Sequence, residues 1–154
     1  EYYFNNSALL IINFIVININ CHYFCVFSEI LKYIIIMDKK ELQARTKKFH
    51  IDIIRLCNDF PRTASGFEIA KQILRSAGSV AANYRASSRA KSKADFINKI
   101  QIVIEEADES HYWLEIIEDA QIKPGAEAKR LMKEANELTA IFTATNKTAK
   151  LNYR

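Results

Sequence analysis

Glycine, proline and cysteine are scarce in this chain, whose 154 residues contain three Gly, two Pro and three Cys. An all-β sandwich or barrel needs frequent turns, so the shortage of turn-forming residues argues against that class. The same shortage excludes collagen and low-complexity disorder. Three cysteines do not form a disulfide framework in a chain of this length, which favours a reducing, cytoplasmic compartment.

Recognisable catalytic motifs are absent as well. Three glycines cannot furnish a dinucleotide-binding fingerprint, a phosphate-binding loop and a nucleophile elbow. Asp108 and His111 have a spacing related to the Glu-x-x-His pairs of di-iron bundles, but the sequence offers no second pair. No nucleophile, base and orienting group can be assembled. We therefore expect a protein that is not an enzyme and that has no metal and no cofactor.

Hydrophobic residues are concentrated at the start of the chain. They make up 25 of residues 1–36, with nine Ile, but only 51 of the remaining 118. Asn13 and Asn18 interrupt an apolar run that is too short for a transmembrane helix. A signal peptide would need a basic start and a small-residue cleavage site, and residues 1–36 have neither. We expect residues 1–36 to be translated upstream sequence ahead of Met37, outside the fold; an interfacial apolar arm is the alternative.

The rest of the chain has apolar residues at helical spacing in four segments. The first ends at Pro61, which forbids continuation. Ser65 with Glu68 has the form of a capping box, which predicts the start of the second helix. Ser92 with Asp95 has a similar form and predicts the start of a third helix of about 25 residues. The pattern predicts an all-α fold, an antiparallel up-and-down four-helix bundle over residues 37–146, with a frayed basic tail over 147–154.

The predicted helices have distinct apolar sides. In the second, a run of small residues around Gly78 predicts close approach of a neighbouring helix, because glycine in a helix interior otherwise costs about 1 kcal/mol. The residues expected to lie on these apolar sides are Leu42, Phe49, Ile53, Leu56, Phe60, Phe67, Ala70, Ile73 or Leu74, Ala77, Ala81, Tyr84, Phe96, Ile100, Val103, Ala107, Ser110, Leu114, Ile117, Leu131, Ala135, Leu138, Phe142 and Thr145.

Charge is sorted into blocks along the chain. Residues 71–99 carry seven basic side chains against Asp95 alone, whereas residues 105–119 carry seven acidic and no basic side chains. One hypothesis is that these blocks are solvated helix faces, or faces that meet between protomers. The other is a phosphate-binding surface for nucleic acid. The candidate nucleic-acid-binding residues are Arg75, Arg85, Arg89, Lys91, Lys93 and Lys99.

Three sequence runs resemble a known family. Residues 72–85, QILRSAGSVAANYR, are similar to the Q-L-x-R-S-x-x-S-I-x-A-N-x-x-E core of the bacterial four-helix-bundle family, also called the 23S rRNA intervening-sequence protein family. Residues 92–99 resemble its S-x-x-D-F-x-x-K run, and residues 106–114 its E-x-x-E-x-x-Y-W-L run. The chain departs from the pattern at Arg85-Ala86, where many members carry Glu.

The resemblance implies an up-and-down bundle that assembles as a ring, typically a homopentamer. It also implies kinship with the accessory variability determinant of diversity-generating retroelements, a basic pentamer that associates with reverse transcriptase and nucleic acid. We therefore expect a cytoplasmic homo-oligomer that binds RNA or DNA, or a reverse transcriptase or other nucleic-acid enzyme, and not a membrane. The alternative is a structural oligomer or protein-interaction scaffold that does not bind nucleic acid.

Overall fold

Four helices make up almost all of residues 39–151, which are the residues that the computed structural model describes. The hydrophobic segment 1–36, whose nature the sequence analysis predicts, therefore lies outside the described residues. The described part of the chain contains no β-strand. The helices are α1 (Lys39–Asn58), α2 (Ala64–Ser87), α3 (Lys93–Asp119) and α4 (Ala126–Leu151).

Consecutive helices run antiparallel and enclose one core. The backbones of α2 and α3 pack closely along their length, and so do those of α3 and α4. Helix α1 closes the bundle through its side chains: Gln43 Nε2 donates to Ser88 Oγ on α2 at 3.3 Å, and Arg45 Nε donates to Glu134 Oε1 on α4 at 2.7 Å. The predicted antiparallel up-and-down four-helix bundle is confirmed, and from Leu42 onward it forms one compact unit.

The core has most of the predicted composition. Most of the residues expected on the apolar sides are buried, and Ile53, Ile73, Leu114 and Leu138 have no exposed surface. Five are only half-buried: Phe60, Ala70, Ala81, Phe96 and Thr145. Phe67 is 65 % exposed, so this expectation is wrong. It follows the buried Gly66, and successive residues in a helix point about 100° apart.

Helix α2 begins earlier than the capping box predicts. Thr63, not Ser65, is the N-cap: its Oγ1 accepts the Gly66 backbone N–H at 3.1 Å. The turn before the helix explains the shift, because Thr63 N donates to Pro61 O at 2.8 Å and fixes the cap there. Gly66 fits this turn for steric reasons, since a Cβ at that position would lie 2.3 Å from Pro61 O. Glu68 instead accepts a hydrogen bond from Gln72.

Close contact between helices occurs where small residues predict it. The imidazole of His50 on α1 covers Gly78, and a Cβ on Gly78 would lie 3.2 Å from two atoms of that ring. Between α2 and α3, Ser76 of α2 and Ser110 of α3 are fully buried, and their hydroxyl oxygens are 2.8 Å apart. The predicted close approach around Gly78 is confirmed.

Both ends of α3 and the end of α4 have defined structure. Ser92 is the N-cap of α3, as predicted, and its Oγ accepts the Asp95 N–H at 3.1 Å. After α3, Gln121 adopts a positive φ of 56°, and Ile122 N donates to Ile117 O at 3.0 Å. Helix α4 continues to Leu151, so the first residues of the expected tail are helical; residues 152–154 lie outside the described residues.

Candidate nucleic-acid interface

The turn between α2 and α3 carries the densest group of the candidate basic residues. Arg85 lies in the last turn of α2, Arg89 and Lys91 lie in the turn itself, and Lys93 is the first residue of α3. All four are exposed. A cation in the last turn of a helix is stabilised by the partial negative charge of that helix end, which favours Arg85 at its position. The local fold thus gathers four of the six predicted residues.

Hydrogen bonds hold this turn in one conformation. Arg89 N donates to Ala86 O at 2.9 Å, and Lys91 N donates to Asp95 Oδ2 at 2.9 Å. The Lys91 backbone N–H, together with Lys99, holds the pKa of the Asp95 carboxyl below its usual value. Asp95 is therefore ionised at neutral pH and places one negative charge beside the basic residues.

The other two candidate residues take different positions. Arg75 lies ten residues before Arg85, which is about 15 Å along the helix axis. Its guanidinium is 3.4 Å from the Glu109 carboxylate, which also accepts the Trp113 indole N–H at 3.1 Å. The ammonium of Lys99 is 3.3 Å from Asp95. Arg75 and Lys99 are thus paired within the protomer, and Arg75 does not join the group at the turn.

Two lysines that the sequence analysis assigned to the tail lie at the same end of the bundle. Asn146 Nδ2 on α4 donates to Gln101 Oε1 on α3 at 2.7 Å, which aligns the last turns of α4 with the first turns of α3. Lys147 and Lys150 follow Asn146 and are exposed. We call the following set the basic end: Arg85, Arg89, Lys91, Lys93, Lys147 and Lys150.

Sequence reasoning missed these lysines because they are 54 or more residues from Lys93 in the chain. The available signal was topological. In an up-and-down bundle the end of the fourth helix meets the start of the third, so a basic segment there falls beside the turn between the second and third helices.

Four cations of the basic end have no acidic partner in the part of the chain that the structure describes. Within the described residues, Arg85 and Arg89 have no carboxylate at salt-bridge distance, and neither do Lys147 and Lys150. Asp95 is the acid that the structure places at the turn. Exposed cations can bind phosphate groups. Because hydrogen bonds already hold the backbone of this turn, binding there costs little backbone conformational entropy.

A cleft of about 180 Å³ lies elsewhere, between α1 and α4. Arg130 donates to Asp52 Oδ2 at 2.8 Å, and Lys48 also pairs with Asp52. The cations of the cleft already pair with carboxylates, so it holds the two helices together and does not present an open anion site. Its lining residues are Arg45, Lys48, Phe49, Asp52, Arg130 and Glu134.

Cys57, His50 and His111 are the cysteine and histidines of the described residues, and their surroundings do not indicate a reactive or metal-binding role. Burial raises the pKa of the Cys57 thiol to about 12 and lowers the pKa of His50. His111 Nδ1 is 3.7 Å from Glu115 on the next turn of α3. Residues 39–151 contain no group of three or more His, Cys, Asp or Glu side chains arranged to hold a metal ion.

Comparison with known proteins gives the family. The family model described as 23S rRNA-intervening sequence protein matches residues 38–144. This chain belongs to that family. The matched residues contain all four helices up to the last turns of α4 and include the six candidate residues of the sequence analysis.

A solved member of related sequence has the same fold. It is a protein with unknown function from the S23 ribosomal protein family of Bacteroides thetaiotaomicron, 30 % identical to this chain with a TM-score of 0.66. The alignment covers 72 % of this chain and 99 % of that one. A search of curated proteins found no significant match. Within the described residues, no helix is long and apolar enough to cross a membrane.

Proposed function

We propose that this family member is a non-enzymatic homo-oligomer of the bacterial cytoplasm that binds RNA or DNA, alone or with a nucleic-acid enzyme such as a reverse transcriptase, through its basic end. The observation that carries the proposal is the convergence of six cations from α2, α3 and α4 with Asp95 as the acid among them. Phosphate contacts supply most of the sequence-independent affinity for nucleic acid.

Self-association is the second part of the proposal. It is supported by the family resemblance, which implies a ring of five copies. It is also supported by large hydrophobic side chains at the bundle surface, among them Ile51, Ile54, Phe67, Ile102 and Tyr112, which are 36–65 % exposed. Repetition of the basic end around a ring would multiply weak phosphate contacts by avidity.

The test is equilibrium binding of duplex RNA and duplex DNA by fluorescence anisotropy over a salt series. Wild-type protein should bind at low salt, with an affinity that falls steeply as salt rises. The double variant Arg89→Ala/Lys91→Ala should bind more weakly on every sequence. Its salt slope should fall by about two counterions, since each lost phosphate contact removes about one.

A matched control separates the basic end from net charge. The double variant Lys123→Ala/Lys129→Ala removes two cations near Asp59 and Glu118. It should bind nearly as wild type. Absence of binding at low salt, or equal losses in both double variants, would overturn binding through the basic end. An oligomer without nucleic-acid binding would instead identify a structural or scaffolding protein.

A further inference from the structure

Four acidic residues and one tyrosine form a line along the outer side of α3. Glu105, Asp108, Tyr112, Glu115 and Asp119 recur at spacings of three and four, which puts them on one side of the helix over about 21 Å. We call this set the acidic stripe. All five are exposed, and Tyr112 in its middle is 51 % exposed.

The stripe differs from the other acids of the bundle. Asp52, Glu118, Glu127, Glu134 and Glu137 each lie within 4.0 Å of a Lys or Arg nitrogen. In contrast, the stripe carboxylates meet no Lys or Arg in the part of the chain that the structure describes. Glu105 accepts a hydrogen bond from Gln101, and Glu115 faces His111 at 3.7 Å.

The position of the stripe is unfavourable for an isolated protomer. Glu115 and Asp119 are one turn apart and repel each other. They also lie near the C-terminus of α3, which carries partial negative charge, and the last turn of that helix contains no basic residue. Cations from outside the protomer would relieve both effects.

A surface of opposite charge lies on the outer side of α1 and α2. We call it the basic face; it consists of Lys47, Ile51 and Ile54 of α1 and Phe67, Lys71 and Leu74 of α2. The contacts of Gln43 with Ser88 and of His50 with Gly78 set the antiparallel register of the two helices. That register places Ile54 beside Leu74.

The basic face has the composition of an interaction surface. Its Ile51, Ile54 and Phe67 are 36 %, 40 % and 65 % exposed. Lys47 and Lys71 are exposed, and neither has a carboxylate at salt-bridge distance among the described residues. The two surfaces therefore carry opposite charge, and each places apolar side chains between its charges: isoleucines and Phe67 on one, Tyr112 on the other.

We infer that copies of this chain associate head to tail, with the acidic stripe of one copy bound to the basic face of the next. Because the two surfaces are different regions of the protomer, the contact is heterologous and generates a ring or an open chain. This inference rests on the self-association in the proposed function and adds which surfaces make it. It leaves the basic end free for another partner.

Charge reversal with complementation tests the inference. One variant, Lys47→Glu/Lys71→Glu, reverses the charge of the basic face. The other, Asp108→Lys/Glu115→Lys, reverses two charges of the acidic stripe. Each alone should run as a monomer by size exclusion with light scattering, with association weakened about tenfold or more by like-charge contacts. Mixed in equal amounts, the two should associate into mixed oligomers, because the intact stripe of one binds the intact face of the other and the two reversed surfaces are also opposite in charge.

A variant that combines all four reversals should regain the wild-type mass. Lys133→Glu, at an 81 % exposed side chain on α4, should leave the mass unchanged. Helical circular dichroism and a cooperative melt establish that each variant is folded; Lys47→Gln/Lys71→Gln replaces the reversal if that variant does not fold. Wild-type mass in both folded single-surface variants, or a mixture that stays monomeric, would refute these surfaces while self-association stands. A monomeric wild type would refute self-association itself.

Discussion

The hydroxyl oxygens of Ser76 on α2 and Ser110 on α3 are 2.8 Å apart, and both side chains are completely buried. Ser76 Oγ also lies 3.2 Å from Ile73 O, and Ser110 Oγ 2.8 Å from Glu106 O. The pair thus satisfies its own hydrogen-bonding groups inside the bundle and permits the backbones of α2 and α3 to approach closely. It fixes the register between these two helices at a point where apolar packing alone would allow sliding.

This pair predicts non-additive effects on stability. Ser110→Ala should lower the free energy of unfolding by about 1 kcal/mol, because Ser76 loses a partner in a dry environment. Ser76→Ala/Ser110→Ala should cost less than the sum of the single changes, since no unsatisfied hydroxyl remains. Urea unfolding of the four proteins in the cycle measures the difference. Strict additivity would show that the hydroxyls do not interact.

A larger side chain at Ser110 should lower the free energy of unfolding more than Ser110→Ala does. Ser110→Leu adds two heavy atoms of side chain between two closely packed helices, and overpacking costs about 1–3 kcal/mol. The matched control is Thr139→Leu on α4, a half-buried position whose hydroxyl bonds only to the Ala135 carbonyl of its own helix. A larger loss at Thr139 than at Ser110 would contradict the close approach of α2 and α3.

A buried carboxylate links α1 to α4. Asp52 is 4 % exposed and pairs with Lys48 and Arg130. Burial raises the pKa of its carboxyl, but the hydrogen bonds from these two cations outweigh burial and leave the pKa below the ordinary value. Stabilisation from a carboxyl with a depressed pKa is present above the unfolded pKa of about 3.9 and is lost as pH falls through the folded pKa.

Asp52→Asn should therefore destabilise the protein in a pH-dependent way. At neutral pH the loss should be about 2 kcal/mol, less than for a fully buried pair because both cations are largely exposed and remain hydrated. Near pH 2 the difference from wild type should vanish. Urea titrations at several pH values measure it. Asp59→Asn is the control, since Asp59 is exposed; a loss independent of pH at Asp52 would contradict the role of its charge.

Contact between His50 and Gly78 predicts a coupled pair of substitutions. Gly78→Val should cost about 1–3 kcal/mol, since its branched side chain would push α1 away. In a His50→Ala background the ring is gone, so Gly78→Ala should instead stabilise by about 1 kcal/mol through helix propensity. Thermal and urea melts of these variants measure the signs. A stabilising Gly78→Val would show that the helices separate freely at this point.

Helix periodicity predicts most of the fold because four amphipathic segments with few breaks have few ways to bury their apolar sides. The end of the first helix shortly before Pro61 and the Ser92 cap of α3 depend on neighbouring residues only, and both could be predicted. The Thr63 cap could not, because it depends on how the Pro61 turn meets Gly66 in space.

The part of the candidate site formed by residues close in sequence could be predicted. The part that the fold brings together from distant segments could not. Arg85, Arg89, Lys91 and Lys93 fall within nine residues of one another, so a sequence count finds them. Lys147 and Lys150 join them only through the antiparallel arrangement of α3 and α4. Arg75 belongs to the same basic block but lies along the helix, where Glu109 of α3 neutralises it.

Asp95 predicts a gain of affinity at the basic end. Its carboxylate accepts the Lys91 N–H, pairs with Lys99 and opposes the approach of phosphates. Asp95→Asn keeps an oxygen that can accept the Lys91 N–H but removes the negative charge. If the basic end binds nucleic acid, the variant should bind a short RNA duplex about two- to threefold more tightly at low salt, and the advantage should shrink as salt screens the charges.

Two comparisons make the Asp95 result specific. Asp59→Asn removes the same charge beside Lys123 instead, so it should leave the affinity near that of wild type. Thermal melts of both variants distinguish a change in the fold from a change in the field at the basic end. Equal gains for Asp95→Asn and Asp59→Asn would mean that net charge alone governs binding, and weaker binding by a folded Asp95→Asn would place the phosphates away from the turn between α2 and α3.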